Sequence, residues 1–227
     1  MAGQMPQEVL PAEGRKKYFT RRGIARWLAD QLQSDLPTVV GVDHAFSFPQ
    51  AYFKRYQLPA DWDAFLVDFV QHWPADRPGV RVDDLRFSYA GQARWGDARW
   101  RREAERRARA KSVFHFDVPG SVAKSTHAGL PWLYQLRCQF ASNLHFWPFD
   151  GWRPEPGVSM IAEVYPALYS HRFSRAGRSG DQHDAFAITA FLEESDRSGQ
   201  LQAYLTPALS APIALSARWE GWILGVG

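Results

Sequence analysis

An α/β fold is what this sequence predicts, and three observations carry that expectation. Two short apolar runs, Thr38-Val39-Val40-Gly41-Val42-Asp43 and Val158 to Tyr165, read as strands buried on both faces. Segments with apolar residues at helical spacing alternate with them, and in such chains functional groups gather at the carboxyl ends of the strands. Finally, 227 residues with 45% hydrophobic and 22% charged side chains supply one buried core, too small for two full domains. Residues 1–19 are expected as a flexible leader, punctuated by Pro6, Pro11 and Gly14, and residues 20–227 as a single domain.

Each element follows from its own pattern. From Thr20 to Leu36 the residues Ile24, Trp27, Leu28 and Leu32 share a helical face, with Thr20 as cap and Pro37 as stop. The first strand then ends in Asp43. Phe46 to Trp73 reads as a loop and a helix bearing Trp62, Phe65, Leu66, Phe69 and Val70. Trp95 to Lys111 is expected as one arginine-rich helix, and Ser112 to Val118 alternates like a strand. Leu130 to Phe140 reads as a helix with Pro131 in its first turn. Phe146 to Trp152 is aromatic and broken by Pro148 and Gly151. The second apolar strand carries Glu163 and stops before Pro166. A basic loop, His171 to Gly180, leads into a helix from Asp181 to Glu194. Leu201 to Leu209 is expected to be irregular, and Trp219 to Val226 a terminal strand or packed turn.

Composition narrows the function classes. The net charge of +3 is carried by 27 cations, mostly arginine, which favours a phosphate-bearing or acidic partner. Cys138 is the single cysteine, so internal disulfides and multi-thiolate zinc sites drop out, and a reducing cytoplasm is expected. The polar start offers no secretion signal, and the longest charge-free run, residues 198–217, contains Pro207 and Pro212 and lacks the apolar continuity of a membrane span. No Gly-x-Ser-x-Gly elbow is present, which argues against a serine hydrolase.

Four carboxylates are candidates for the chemistry: Asp43 and Glu163 on the buried strands, and Asp181 with Asp184, three apart on one helix face. A cluster of this kind repels itself unless cations intervene, and hard ions such as Mg²⁺ or Mn²⁺ prefer oxygen ligands. Metal-assisted phosphoryl transfer is the chemistry that uses them. Simpler roles stand beside this one. Asp181 is a good helix cap, Asp184 suits a first turn, and Asp43 can open a turn, whereas a glutamate on a buried strand needs a partner.

Several motifs, taken in order, resemble the family known as domain of unknown function 429. They are Val-Gly-Val-Asp-His-Ala-Phe-Ser-Phe-Pro (40–49), Ser-Val-Phe-His-Phe (112–116), Ala-Lys-Ser-Thr-His-Ala-Gly-Leu-Pro-Trp-Leu (123–133) and His-Phe-Trp-Pro-Phe-Asp-Gly-Trp (145–152), then Glu-Val-Tyr-Pro-Ala-Leu (163–168), Asp-Gln-His-Asp-Ala-Phe (181–186) and Glu-Gly-Trp-Ile-Leu-Gly-Val (220–226). The resemblance implies an RNase H-like mixed sheet flanked by helices. It also implies a divalent-metal-dependent nuclease acting on DNA or RNA, with Asp43, Glu163, Asp181 and Asp184 as catalytic and metal-binding acids. The chain departs from the family's usual beginning, a strand with an early Asp followed by a hairpin, because a polar leader precedes Thr20. The competing expectation is therefore a non-catalytic nucleic-acid-binding or scaffold protein that retains the fold.

Two cations are candidate substrate ligands. Lys124 is expected in a loop ahead of a helix, where a cation and free N–H groups hold phosphate, and Arg137 projects from that helix. A solvated lysine and a surface ion pair are the simpler alternatives. His44, His127 and His183 flank the motifs without being assigned as ligands. The arginine-rich segment, with Trp95 and Trp100, is a candidate phosphate track, although a solvated charged face gives the same pattern.

Overall fold

The computed structural model describes residues 5–11, 18–34 and 36–227, so much of the leader expected over 1–19 lies outside the described residues. Three parallel strands form the sheet: β1 (Val39–Val42), β2 (Leu144–Trp147) and β3 (Ser159–Glu163), in the order β1-β3-β2. β3 is the central strand, with Val42 opposite Glu163 and Trp147 opposite Ala162. Both apolar runs form strands, but only β3 is buried throughout; β1, expected to be buried on both faces, is partly open with Val39 exposed because it is an edge strand, and β2 is a third strand that the proline-broken aromatic run concealed. The sheet is wholly parallel among the described residues, where a mixed one was expected.

Side chains of β2 and β3 alternate between two cores, as period-2 geometry requires. Phe146 and Ile161 enter an aromatic core with Phe48, Phe65, Phe69 and Trp73, while Trp147, Met160 and Ala162 join Phe191, Trp222 and Leu224 on the other face. The first core is built by α1 (Arg21–Leu32), α2 (Gln50–Tyr56), α3 (Trp62–His72) and α7 (Ala123–Phe140); short helices α4 (Val82–Arg86) and α5 (Tyr89–Gln92) lie at its margin. The second is closed by α8 (Gly180–Arg197), α9 (Leu201–Leu205) and α10 (Ala211–Glu220). Gly41 lets α8 lie directly on β1, since a Cβ there would sit 2.7 Å from Ile188 Cγ2. No helix among the described residues is long and apolar enough to cross a membrane.

Local signals hold where they satisfy backbone groups. The Thr20 hydroxyl accepts from Gly23 N at 3.0 Å, the expected cap of α1. α8 starts one residue before the expected Asp181 because Ser179 and Gln182 form a capping box, so Asp181 is a first-turn residue and not the cap.

Tertiary packing overrides other expectations. α7 begins at Ala123 and carries Pro131 in its interior, because Ala123, Thr126, His127 and Leu130 already face the core and their burial outweighs one lost N–H. The expected helix from Trp95 to Lys111 shrinks to α6 (Glu103–Arg107), since the Asp97 carboxylate takes the Arg99 N–H and holds a local turn. Ser112 to Val118 is a series of turns that buries Val113, Phe114 and Phe116 in one core, which an alternating strand cannot do. α9 occupies part of the stretch expected to be irregular. The chain end is a packed turn and not a strand, pinned by Leu224 N–H to Glu163 O at 2.9 Å.

Candidate functional site

The carboxyl ends of β1 and β3 lie side by side, so Asp43, just beyond β1, and Glu163, at the end of β3, share one end of the sheet. Asp181 and Asp184, in the first turns of α8, lie near enough for their charges, with that of Glu163, to bear on Asp43, but they do not line the concavity beside it. Crowding by protein, then the charges of Asp184, Glu163 and Asp181, raise the Asp43 carboxyl to about 6. Asp43 nevertheless keeps an exposed side, so it stands on the rim of a concavity and not in a sealed interior. Asp181 is exposed and Asp184 half-buried. None of these three aspartates makes a side-chain hydrogen bond or ion pair among the described residues.

Glu163 is different. It is 4% exposed, and its two oxygens receive Arg102 Nη2 at 2.5 Å and Nη1 at 2.6 Å, with Phe46 N–H at 3.3 Å. Arg102, 1% exposed, also donates from Nε to Glu105 Oε1 at 3.0 Å. Burial opposes the arginine charge, but the two glutamates more than offset it and leave its pKa above the ordinary value. Burial pushes the Glu105 carboxyl up against the pull of Arg102. The partner that a buried-strand glutamate requires is therefore an arginine. No group of three or more His, Cys, Asp or Glu side chains among the described residues is placed so that it could hold a metal ion, and Glu163 is paired with Arg102.

The floor of the concavity is lined by Asp43, His44, Arg102, Glu105, Lys111 and Glu163, and its enclosed space of about 20 Å³ takes one water-sized group. Lys111 donates to Pro119 O and has no carboxylate partner among the described residues. His44 is buried, donates from Nδ1 to Ala45 O at 2.9 Å, and is held neutral by that burial, its pKa lowered to about 4. Gly129 permits this placement, because a Cβ on it would collide with His44 Nε2 at 2.2 Å. Tyr169, 3% exposed and stacked on Phe191 with centroids 4.1 Å apart, has a hydroxyl with no hydrogen-bond partner among the described residues; burial and then the Asp43 charge raise its pKa.

The two expected substrate cations lie elsewhere. Lys124 is in the first turn of α7, not in a loop, and pairs with Asp83 at 2.8 Å on the surface. Arg137 is held by Asp63 and Asp150, at 2.9 and 2.8 Å, and lines a separate groove. Neither lines the Asp43 concavity. The arginine-rich segment spends much of its charge internally: Arg99 pairs with Asp97, Arg106 and Arg107 with Glu103, and Arg102 with the buried glutamates. Arg102, Glu105, Lys111 and Tyr169 were not distinguishable as site residues in the sequence. The only available signal was the i, i+3 spacing of Arg102 and Glu105, which many surface pairs share.

No protein-family model, curated protein or solved structure matches this chain.

Proposed function

We propose that this protein is a divalent-cation-dependent hydrolase of phosphodiester bonds in nucleic acid, built on an RNase H-like arrangement of acids. The observation that carries the reading is the trio Asp43, Asp181 and Asp184, in which the charges of the last two bear on Asp43 and none of which is in an ion pair among the described residues. Carboxylate oxygens are the ligands that hard ions such as Mg²⁺ or Mn²⁺ prefer. A bound ion would activate water and neutralise the leaving oxygen.

The chain's own groups supply the rest. Asp43, with its pKa raised to about 6, is mostly ionised only above that pH, so donor capacity rises through pH 6. Lys111 offers a cation on the floor for an anionic phosphoryl oxygen. Arg102 acts as a positioning residue by fixing Glu163, and through Glu163 the Phe46 N–H that follows β1.

A non-catalytic nucleic-acid-binding protein is the second reading, favoured by the occupation of Glu163 by Arg102. Calorimetric titration with Mn²⁺, followed by a cleavage assay on labelled DNA and RNA with and without the ion, separates the two. The hydrolase reading expects binding and ion-dependent cleavage, both lost in Asp43→Asn and Asp184→Asn. Cleavage unchanged in these variants, or no Mn²⁺ binding, would sink it.

A further inference from the structure

A second site lies along α1. One groove is lined by Arg22 and Arg26 from α1, Asp76 and Arg77 from the segment after α3, and Trp132 and Gln135 from α7. Arg22 and Arg26 are four apart, so they rise on one face of the helix. All three arginines are exposed, and their guanidinium groups make no hydrogen bond or ion pair among the described residues. That sets them apart from Arg86, Arg94, Arg99, Arg102 and Arg137, each of which holds a carboxylate. The groove's one acid, Asp76, already accepts from Gln135 Nε2 at 2.8 Å. Half-buried Trp132 adds an aromatic ring to the lining, its Nε1 turned inward without an acceptor among the described residues.

The arginine row does not stop at the groove. Arg21, the first residue of α1, lies close enough for its charge to bear on His44, the neighbour of Asp43.

We propose that this groove binds the phosphodiester backbone of single-stranded nucleic acid, with Arg22, Arg26 and Arg77 on phosphates and Trp132 as a surface for a base. The inference rests on the reading of the chain as acting on nucleic acid, and it names where the strand is held outside the acid rim. Unpaired arginines offer the planar donor fork that phosphate oxygens match, and an aromatic ring among cations is the arrangement that holds single strands without reading sequence. An acidic protein would use the same cations but leave the ring without a role.

The test is fluorescence anisotropy with a labelled oligothymidylate of roughly 20 nucleotides, in EDTA, across a salt series. The wild-type chain is expected to bind in a salt-dependent way. The triple variant Arg22→Gln/Arg26→Gln/Arg77→Gln should weaken binding more than tenfold at low salt and make the log–log salt slope shallower by about 2, near 0.7 per phosphate contact on a single strand. Its melting temperature should be unchanged, since the replaced side chains are exposed. Trp132→Leu should weaken binding by a further several-fold, with little effect on the slope.

Absence of wild-type binding overturns the inference, as does a triple variant that binds like wild type, or a polyglutamate that displaces the oligonucleotide at matched charge. EDTA keeps this outcome separate from the hydrolase reading. Binding lost in the triple variant, from a chain that neither binds Mn²⁺ nor cleaves, supports the groove and removes the hydrolase. Cleavage that the triple variant retains at wild-type efficiency, with unchanged binding, supports the hydrolase and removes the groove.

Discussion

Asp43 and Glu163 stand at the same end of adjacent parallel strands, and their surroundings are opposite in kind. Glu163 is sealed, gripped by both terminal nitrogens of Arg102, and covered by the chain end, whose Leu224 N–H donates to the Glu163 carbonyl. Asp43 is open on one side, has no cation partner, and feels three neighbouring acids. A buried charge in low dielectric must be paired, whereas an acid on a wet rim can remain uncompensated until a ligand arrives. Position in the sheet therefore does not assign a role. The first acid is left unpaired at the rim, and the second is bound into the architecture beneath it.

The sharpest way to break that distinction is Arg102→Met. It leaves Glu163 and Glu105 buried without their cation, and we expect a loss of about 3–5 kcal/mol in urea unfolding. Adding Glu163→Gln to that variant should recover part of the loss. A single variant of wild-type stability would show that Glu163 is not held as described.

Asp43→Asn should do the reverse, weakening Mn²⁺ affinity at least tenfold by calorimetry while leaving stability at pH 7.5 unchanged or slightly higher, because a repelled charge has been removed. Parallel loss of stability and metal affinity would erase the contrast between the two acids.

Titration separates the regions further. The Asp43 pKa is raised to about 6, so its contribution to stability is full below the ordinary carboxylate value and is lost as pH rises through about 6. His44 and His127 are lowered, to about 4 and about 3, by burial, so their contributions are full above about 6.5 and lost as pH falls through those values. Urea midpoints should therefore decline in acid, and Asp43→Asn should remove an opposing trend between about pH 4 and 6. The same variant series measured for Mn²⁺ should show wild-type affinity rising as pH passes 6.

The smallest effect is expected from Lys124→Ala. Its exposed pair with Asp83 is worth roughly 0–1 kcal/mol, and oligonucleotide binding should not change. A large loss of binding would restore Lys124 to the site.

Much of the fold was legible because its signals are local. Thr20 capping α1, the β1 and β3 runs, and Pro74 beyond α3 each depend on neighbours within a few residues. Strand ends and helix spacing pointed to Asp43, Glu163, Asp181 and Asp184 as four converging acids; that Glu163 is instead bound by Arg102 was not legible. The arginine-rich segment was not. Its helix was cut short by Asp97 binding a backbone N–H, and Arg102, one of several arginines in a run, is the one turned into the core.

By itself the sequence determined the secondary elements whose caps and periodicity are local, the α/β class, and the supply of acids and arginines. Tertiary structure alone decided which charges face each other. Arg102 reaches Glu163 across 61 residues of sequence, Leu224 closes over that pair from the far end of the chain, and Arg77 meets Arg22 and Arg26 of α1 in one groove. A residue's type fixes what it can bond, but in a chain with this many cations and carboxylates the pairing is set by burial and by which surfaces the packed helices bring within a few ångströms.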